Sequence, residues 1–407
     1  MNNINFKQYL KSDNAKIYYW CLSLTLMWRV FLEILNQAQA YLYKQPIAFN
    51  SHALGNLARW GHWDGVWYQE IEHHGYVLHH LANGQESSAF FPAFPLTTRL
   101  IADVTRLNPI LAGLILNILL TSIACFFMYK LTLTVAEKYG TKIKISKRKL
   151  GTLGVLCLLL YPASLFMSAY YVEAFLMVGF LGSIYFALTN RLLWSALFII
   201  IATANKSSGL VLLPTVAVII FEQWRTGKKR KPEELIKKLL IPLIGLVGIG
   251  SYMLFQLIKF HNALFWYKSQ LAWRVPSKTF FLNNIYQIFY SHLFQESYYG
   301  SKYYYALYLF IMSLPFIITA LGIWIAIKYK TYWPLVLGFF SLAIPLSTGT
   351  LLSLDRIEII TVPMATFIVI ACVKKRSYMI GFLSVLTLSG LALVLFTLGF
   401  LRVLFAG

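Results

Sequence analysis

YYVEAFLMVGFLGSIYFALTNRLLWSALFIIIATANKSSGLVLLPTVAVIIFE, residues 170–222, decides the fold. Its apolar runs are broken only at Asn190-Arg191 and at Asn205-Lys206-Ser207-Ser208-Gly209. A membrane-spanning helix needs about 20 mostly apolar residues, so the stretch is long enough for three passes. The rest of the chain repeats the pattern. Further candidate spans lie at 17–36, 109–131, 150–168, 239–258, 303–328 and 378–404, with shorter apolar stretches at 332–347 and 357–373. Together they predict an all-α polytopic membrane protein of about 11 transmembrane helices. Composition agrees: 58% of the 407 residues are hydrophobic, 13% are charged, and the mean hydropathy is +0.62, which excludes an ordinary water-soluble domain. Residues 90–106 open with FFPAFP and carry Arg99 and Asp103, so they are expected to lie at the interface or to enter the bilayer only partway.

Charge sets the expected orientation. Lys and Arg exceed Asp and Glu by 36 to 15, and such an excess in a membrane protein belongs in cytoplasmic loops facing anionic lipid. Nucleic-acid binding does not follow from it. With the N-terminus inside, the cytoplasmic pieces hold 22 basic residues, and the opposite side holds 11 in about twice the chain length. The N-terminus and KYGTKIKISKRK are therefore expected to be cytoplasmic. Two long extracytoplasmic loops result, 37–108 with interfacial helices and 259–302, within a single transmembrane domain, 1–407. Loops of that length usually carry function. No repeat relates the two halves, so a transporter built from paired repeats gains no support. Cys21, Cys125, Cys157 and Cys372 lie far apart in apolar runs and suggest neither a metal site nor a disulfide framework. The first sixteen residues are polar and no small-residue cleavage site follows, so Met1 onward is expected to be retained.

The densest polar cluster is RWGHWDGVWYQEIEHHGYVLHH, residues 59–80. A carboxylate among tryptophans at a bilayer surface is partly desolvated, which suits a general base that deprotonates a hydroxyl. Asp64 is the preferred base and Glu70 the reserve. The plainer reading makes Trp60, Trp63, Trp67 and Tyr68 an aromatic belt, with Asp64 capping a helix. His73, His74, His79 and His80 raise a divalent-metal alternative, but HHGYVLHH matches no HExxH spacing, so no metal is expected. Charges beside apolar helices tend to face a polar cavity and pair there. The loop topology brings Glu173, Lys206 and Arg356 to the same face as Asp64. Their plainer reading is a helix-holding pair, Glu173 with Lys206, and an arginine reaching to headgroups. In the second loop Trp273, Arg274 and Pro276 suit a pocket for a sugar ring and a phosphate, although much of the aromatic tract from Phe280 to Phe310 reads as interfacial belt.

Taken in order, RWGHWDGVWYQEIEHHGY, SSAFFPAFPL, YPASLFMSAYYVEAF, ATANKSSGL, NALFWYKSQLAW and SLDRIEIITVP resemble the successive motifs of the PIG-V mannosyltransferase family. The resemblance runs from about residue 58 to 363. Its most specific parts are Trp63-Asp64, Gly75-Tyr76 and Ala89-Phe90-Phe91-Pro92, followed by Tyr171-Val172-Glu173. The family's Arg-x-x-Gly is represented by Lys206-Ser207-Ser208-Gly209, a departure that keeps the charge but loses the planar fork.

The resemblance implies a GT-C-type membrane glycosyltransferase working on the extracytoplasmic or lumenal face. Its expected donor is a polyprenyl-phosphate-linked mannose, and its acceptor a lipid-linked glycan or other hydroxyl. It implies an inverting transfer with Asp64 as base, Lys206, Arg356 and Arg274 at the donor phosphate, and His62, Trp63, Tyr171, Glu173 and Trp273 at the substrates. No cofactor is required. The competing classes are a transporter or flippase of lipid-linked substrates and a non-catalytic subunit of a membrane complex.

Overall fold

The computed structural model describes residues 13–43, 52–78, 84–140, 145–227, 230–273, 302–346, 356 and 358–402. Among them all regular structure is helical. The α-helices are α1 (Asp13–Tyr43), α2 (Asp64–His74), α3 (Ala93–Thr105), α4 (Pro109–Tyr139), α5 (Lys147–Leu159), α6 (Glu173–Leu188), α7 (Leu192–Asn205) and α8 (Leu212–Thr226). They continue as α9 (Pro232–Leu240), α10 (Leu246–Phe260), α11 (Phe265–Gln270), α12 (Lys302–Tyr329), α13 (Trp333–Leu346), α14 (Ala365–Cys372) and α15 (Arg376–Leu401).

Among the described residues five segments are long and apolar enough to cross a membrane: Asp13–Leu42, Pro109–Tyr139, Ser207–Thr226, Pro232–Phe260 and Arg376–Leu401. Shorter apolar helices, among them Glu173–Leu188, Leu192–Asn205 and Trp333–Ala343, occupy stretches where further passes are expected. Met27, Ile34 and Ile258 stand 70%, 60% and 71% exposed, and side chains like these make an outer surface suited to lipid rather than water. The protein is thus a membrane protein, helical throughout its described residues. Local signals set the helix starts: Asn108 accepts from the Ile110 N–H ahead of Pro109, and Ser146 accepts from the Lys149 N–H.

At the centre α6 packs against both α4 and α7, with Met177, Phe180, Leu181 and Ile184 fully buried. A Cβ on Gly179 would come within 2.7 Å of the Ala202 Cβ and 3.0 Å of its backbone, so only glycine allows α6 and α7 to approach this closely. In lipid, where apolar side chains gain nothing by leaving the solvent, such close packing supplies much of the association.

One expected span is interrupted. The sequence predicts a crossing over 150–168, and α5 covers only its first part, stopping at Leu159 after 13 residues. Pro162 lacks an N–H and disfavours the helical region for its predecessor, and Tyr161 accordingly sits at φ −63, ψ 134. The chain then runs to Val172 as buried backbone, a short 3₁₀ helix over Pro162–Met167 followed by bends, whose polar groups need partners. Asn117 of α4 supplies two, donating its side-chain amide to the Ala169 carbonyl and, at 3.0 Å, to that of Tyr171. Thr121 donates to the Met167 carbonyl at 3.1 Å. Asn117→Ala leaves two buried carbonyls short of a donor and is expected to lower stability by about 1–3 kcal/mol. Thermal unfolding in detergent measures it, and an unchanged midpoint would assign the support to Thr121 and the tight turns alone.

The awkward stretch 90–106 forms α3, whose 13 residues bury Phe94, Thr98 and Ala102 while Leu96, Leu100 and Val104 face outward. It leads directly into α4 and, with α2, flanks the region where the charged residues gather.

Candidate active site

The segment that presents Asp64 is built on a strained turn. Gly65 N–H donates to the His62 carbonyl at 3.0 Å, and Trp63 lies at φ 56, ψ −121, close to the first central position of a type II′ turn, normally a glycine. Holding a tryptophan there costs on the order of 1–3 kcal/mol. The surroundings impose it: the Tyr171 hydroxyl donates to the same His62 carbonyl at 2.9 Å, and the Trp60 carbonyl accepts from Tyr170 N–H at 2.9 Å. Upstream, the Trp60 indole N–H donates to Glu33 at 2.9 Å, and Arg29, paired with that carboxylate at 3.0 Å, lies 4.6 Å over the indole ring. Two charges on the spanning helix α1 therefore fix the entry to the site. Burial, with Arg59 adding to it, pushes the His62 imidazole down to about 4, so it is neutral at pH 7. The Glu72 carboxyl is pushed up by burial, with His73 and Arg99 pulling the other way.

The turn delivers Asp64 as the first residue of α2, where the helix N-terminus favours a carboxylate. Arg356 Nη2 lies 2.6 Å from Asp64 Oδ2, and its Nε lies 3.3 Å from Glu173 Oε1. Lys206 Nζ reaches the same Glu173 oxygen at 3.1 Å. Four residues from four separate parts of the chain thus form one network, Asp64–Arg356–Glu173–Lys206, with two charges of each sign. Glu173 is its buried hub at 1% side-chain exposure, whereas Asp64 is 24% and Lys206 19% exposed. The Phe166 and Tyr171 rings each lie 5.4 Å from the Arg356 guanidinium carbon. Asp64 is therefore not an isolated carboxylate among tryptophans, as its sequence context suggests, but a carboxylate held by an arginine.

The structure distributes the other expected residues unevenly. His62 and Tyr171 are buried and contact Asp64's turn rather than open space. Glu70, half-buried farther along α2, pairs with neither Lys206 nor Arg356, which Asp64 and Glu173 engage. Arg274, Asp355, His79 and His80 lie outside the described residues, as does the Trp273 side chain. Among the described residues no three His, Cys, Asp or Glu side chains converge. Gly209 has a geometric role. A Cβ there would meet the Ala202 carbonyl carbon at 2.6 Å and Thr203 N at 2.7 Å, so glycine lets the chain after Lys206 fold back against the end of α7.

Beside the network the two long loops are tied together. The Tyr252 hydroxyl donates to the Ser88 carbonyl at 2.8 Å, Gln256 accepts from Trp266 N–H, and the Ser88 and Ser269 hydroxyls lie 2.7 Å apart. Phe91, Tyr76, Ile71, Tyr252 and Trp266 share a second apolar cluster around these bonds.

A family model described as Mannosyltransferase (PIG-V) matches residues 16–339. The chain belongs to this family. No curated protein matches the chain. A PIG-V mannosyltransferase handles a sugar donor and an acceptor. Three motifs that carry the family resemblance, Trp63-Asp64, Tyr171-Val172-Glu173 and Lys206 to Gly209, meet in the ion-pair network.

Proposed function

We propose that the protein is an inverting GT-C-type mannosyltransferase. It moves mannose from a polyprenyl-phosphate-linked donor to a hydroxyl of a lipid-linked glycan or another extracytoplasmic acceptor. The observation that carries this reading is the contiguity of a solvent-accessible carboxylate with two cations at the end of apolar helices. Asp64 takes the proton as the acceptor oxygen attacks the anomeric carbon from the face opposite the phosphate. Lys206 and Arg356 stabilise the charge that develops on the departing phosphate. Because those cations supply the positive charge, this reading includes no divalent metal. Tyr171, His62 and Trp63 act by holding Asp64 in place, Glu173 by aiming the cations, and Trp273 and Arg274 by contacting the substrates from the second loop.

Incubating the purified protein with polyprenyl phosphate mannose and candidate acceptors tests the reading, with mannosylated acceptor and free polyprenyl phosphate expected in equal amounts. Translocation of the donor without chemistry would favour the flippase class instead. The 22 to 11 split of basic residues supports a cytoplasmic N-terminus, an extracytoplasmic Asp64 and about eleven crossings. In intact cells a membrane-impermeant thiol reagent is expected to modify a cysteine placed at Ser51 and to spare one at Ser146. The reverse pattern would overturn both the topology and the side on which transfer occurs.

A further inference from the structure

The contact that completes the network also obstructs its use. A carboxylate whose Oδ2 lies 2.6 Å from a guanidinium nitrogen has that oxygen engaged. An arginine held by that carboxylate is equally engaged and does not offer its full charge to a phosphate. We propose that Arg356 is a transferable counter-ion, held by Asp64 in the donor-free protein and passed to the donor phosphate on binding, so that the base is uncovered only in a loaded site. The inference rests on the proposed donor class and adds an order of events to it.

Three features support the exchange. First, Arg356 has a second anchor: its Nε lies beside Glu173 at 3.3 Å, so release of Nη2 from Asp64 does not leave the guanidinium unpaired. Rotation about the Glu173 contact over the Phe166 and Tyr171 rings moves Nη2 without returning the charge to lipid. Second, the carboxylate to be released is the accessible one, since Asp64 is 24% exposed and Glu173 only 1%.

Third, the charges balance through the reaction. The four side chains sum to zero, and the donor phosphodiester brings one negative charge. The acceptor O–H bond breaks and its proton goes to Asp64. The new O–C bond forms at the anomeric carbon, and the old C–O bond breaks with its electron pair left on the phosphate. Asp64 thereby loses one negative charge as the phosphate gains one. A guanidinium beside both follows that charge, with no other ion required. Water entering a site without donor meets a carboxylate already paired, so the base is activated only when there is a sugar to transfer.

The test is the affinity of a polyprenyl monophosphate in detergent micelles for wild type, Asp64→Asn, Arg356→Gln and the double variant, with inorganic phosphate as a second probe. Asp64→Asn removes the negative charge that competes with the phosphate for Arg356 and leaves only a weaker neutral hydrogen bond, so it is expected to bind the lipid phosphate about 10-fold more tightly while losing turnover. Arg356→Gln should bind more weakly, and in its background Asp64→Asn should bring no gain. Glu70→Gln removes the same charge elsewhere on α2 and should not reproduce the effect. Should Asp64→Asn elute as aggregate, Asp64→Ser serves the same comparison. A gain for inorganic phosphate of the same size would mean that the headgroup alone drives the exchange, and a gain only for the lipid form that the tail must dock first. Equal affinity of wild type and Asp64→Asn, or a gain that persists without Arg356, overturns the exchange and leaves the donor assignment standing. Absence of any binding to wild type overturns the donor assignment as well.

Discussion

Asp64→Asn is expected to leave the protein folded and to lower mannosyl transfer by about 10²- to 10⁴-fold, the usual contribution of a positioned general base. Asparagine has the same shape, and its carbonyl oxygen still accepts from Arg356, but it cannot take the acceptor proton. Folding should survive because Arg356 keeps its second contact with Glu173 and because Asp64 is not fully enclosed. Removing one partner of a fully buried pair is harsher, at about 3–5 kcal/mol. Single-turnover transfer measures the loss, since it excludes slow product release. Glu70→Gln should retain most of the activity: six residues farther along a regular helix is a rotation of about 240°, which faces Glu70 away from the position Asp64 serves. Normal turnover of Asp64→Asn with an inactive Glu70→Gln would move the base to Glu70. Normal turnover of both would place the base at neither residue, and no transfer by the wild type would favour a role without chemistry, as in a structural subunit.

The meeting of Asp64, Glu173, Lys206 and Arg356 was legible in the sequence because it depends on topology. Long apolar segments and the placement of basic loops assign each helix end to a side, and those four residues fall on the same one. Other parts were not legible, for reasons of scale. That Arg356 lies on Asp64 is a matter of a few ångströms between segments almost 300 residues apart, and no periodicity encodes it. Asn117 looks like one polar interruption in an apolar helix, and its purpose appears only when the broken segment beyond Leu159 is seen leaning on it. The signal available for that break was Tyr161-Pro162, outweighed by the apolar run on either side. Glu33 and Arg29 were hidden the same way: as an i, i+4 pair within α1 they read as self-neutralising, whereas the structure also uses Glu33 to hold Trp60. The strained Trp63 has no sequence signal apart from the Gly that follows Asp64.

Arg356→Ala and Lys206→Ala are each expected to lower kcat/KM for the donor by about 10²- to 10³-fold, the range seen when one charge-stabilising donor is removed from a transition state. The network explains why either cation matters. With four charges summing to zero, loss of one leaves the site with a net negative charge where a phosphate must enter, and acceptor binding, which involves no such charge, should change little. Stability confounds the measurement, because Lys206→Ala and Arg356→Ala also strip partners from the buried Glu173 carboxylate. Glu173→Gln combined with Lys206→Met separates the effects. It removes a carboxylate and an ammonium together, restores electroneutrality and fills similar volume, a replacement that is often neutral for stability. If Lys206 serves only to hold helices, this double variant should be both stable and active. If it serves the phosphate, the double variant should be stable and as slow as Lys206→Ala. Lys206→Arg should keep activity, because arginine retains the charge and adds a fork suited to phosphate oxygens. Should Lys206→Ala and Arg356→Ala both fold and consume donor at the wild-type rate, the phosphate is held elsewhere, and Arg274 and Arg59 become the residues to test.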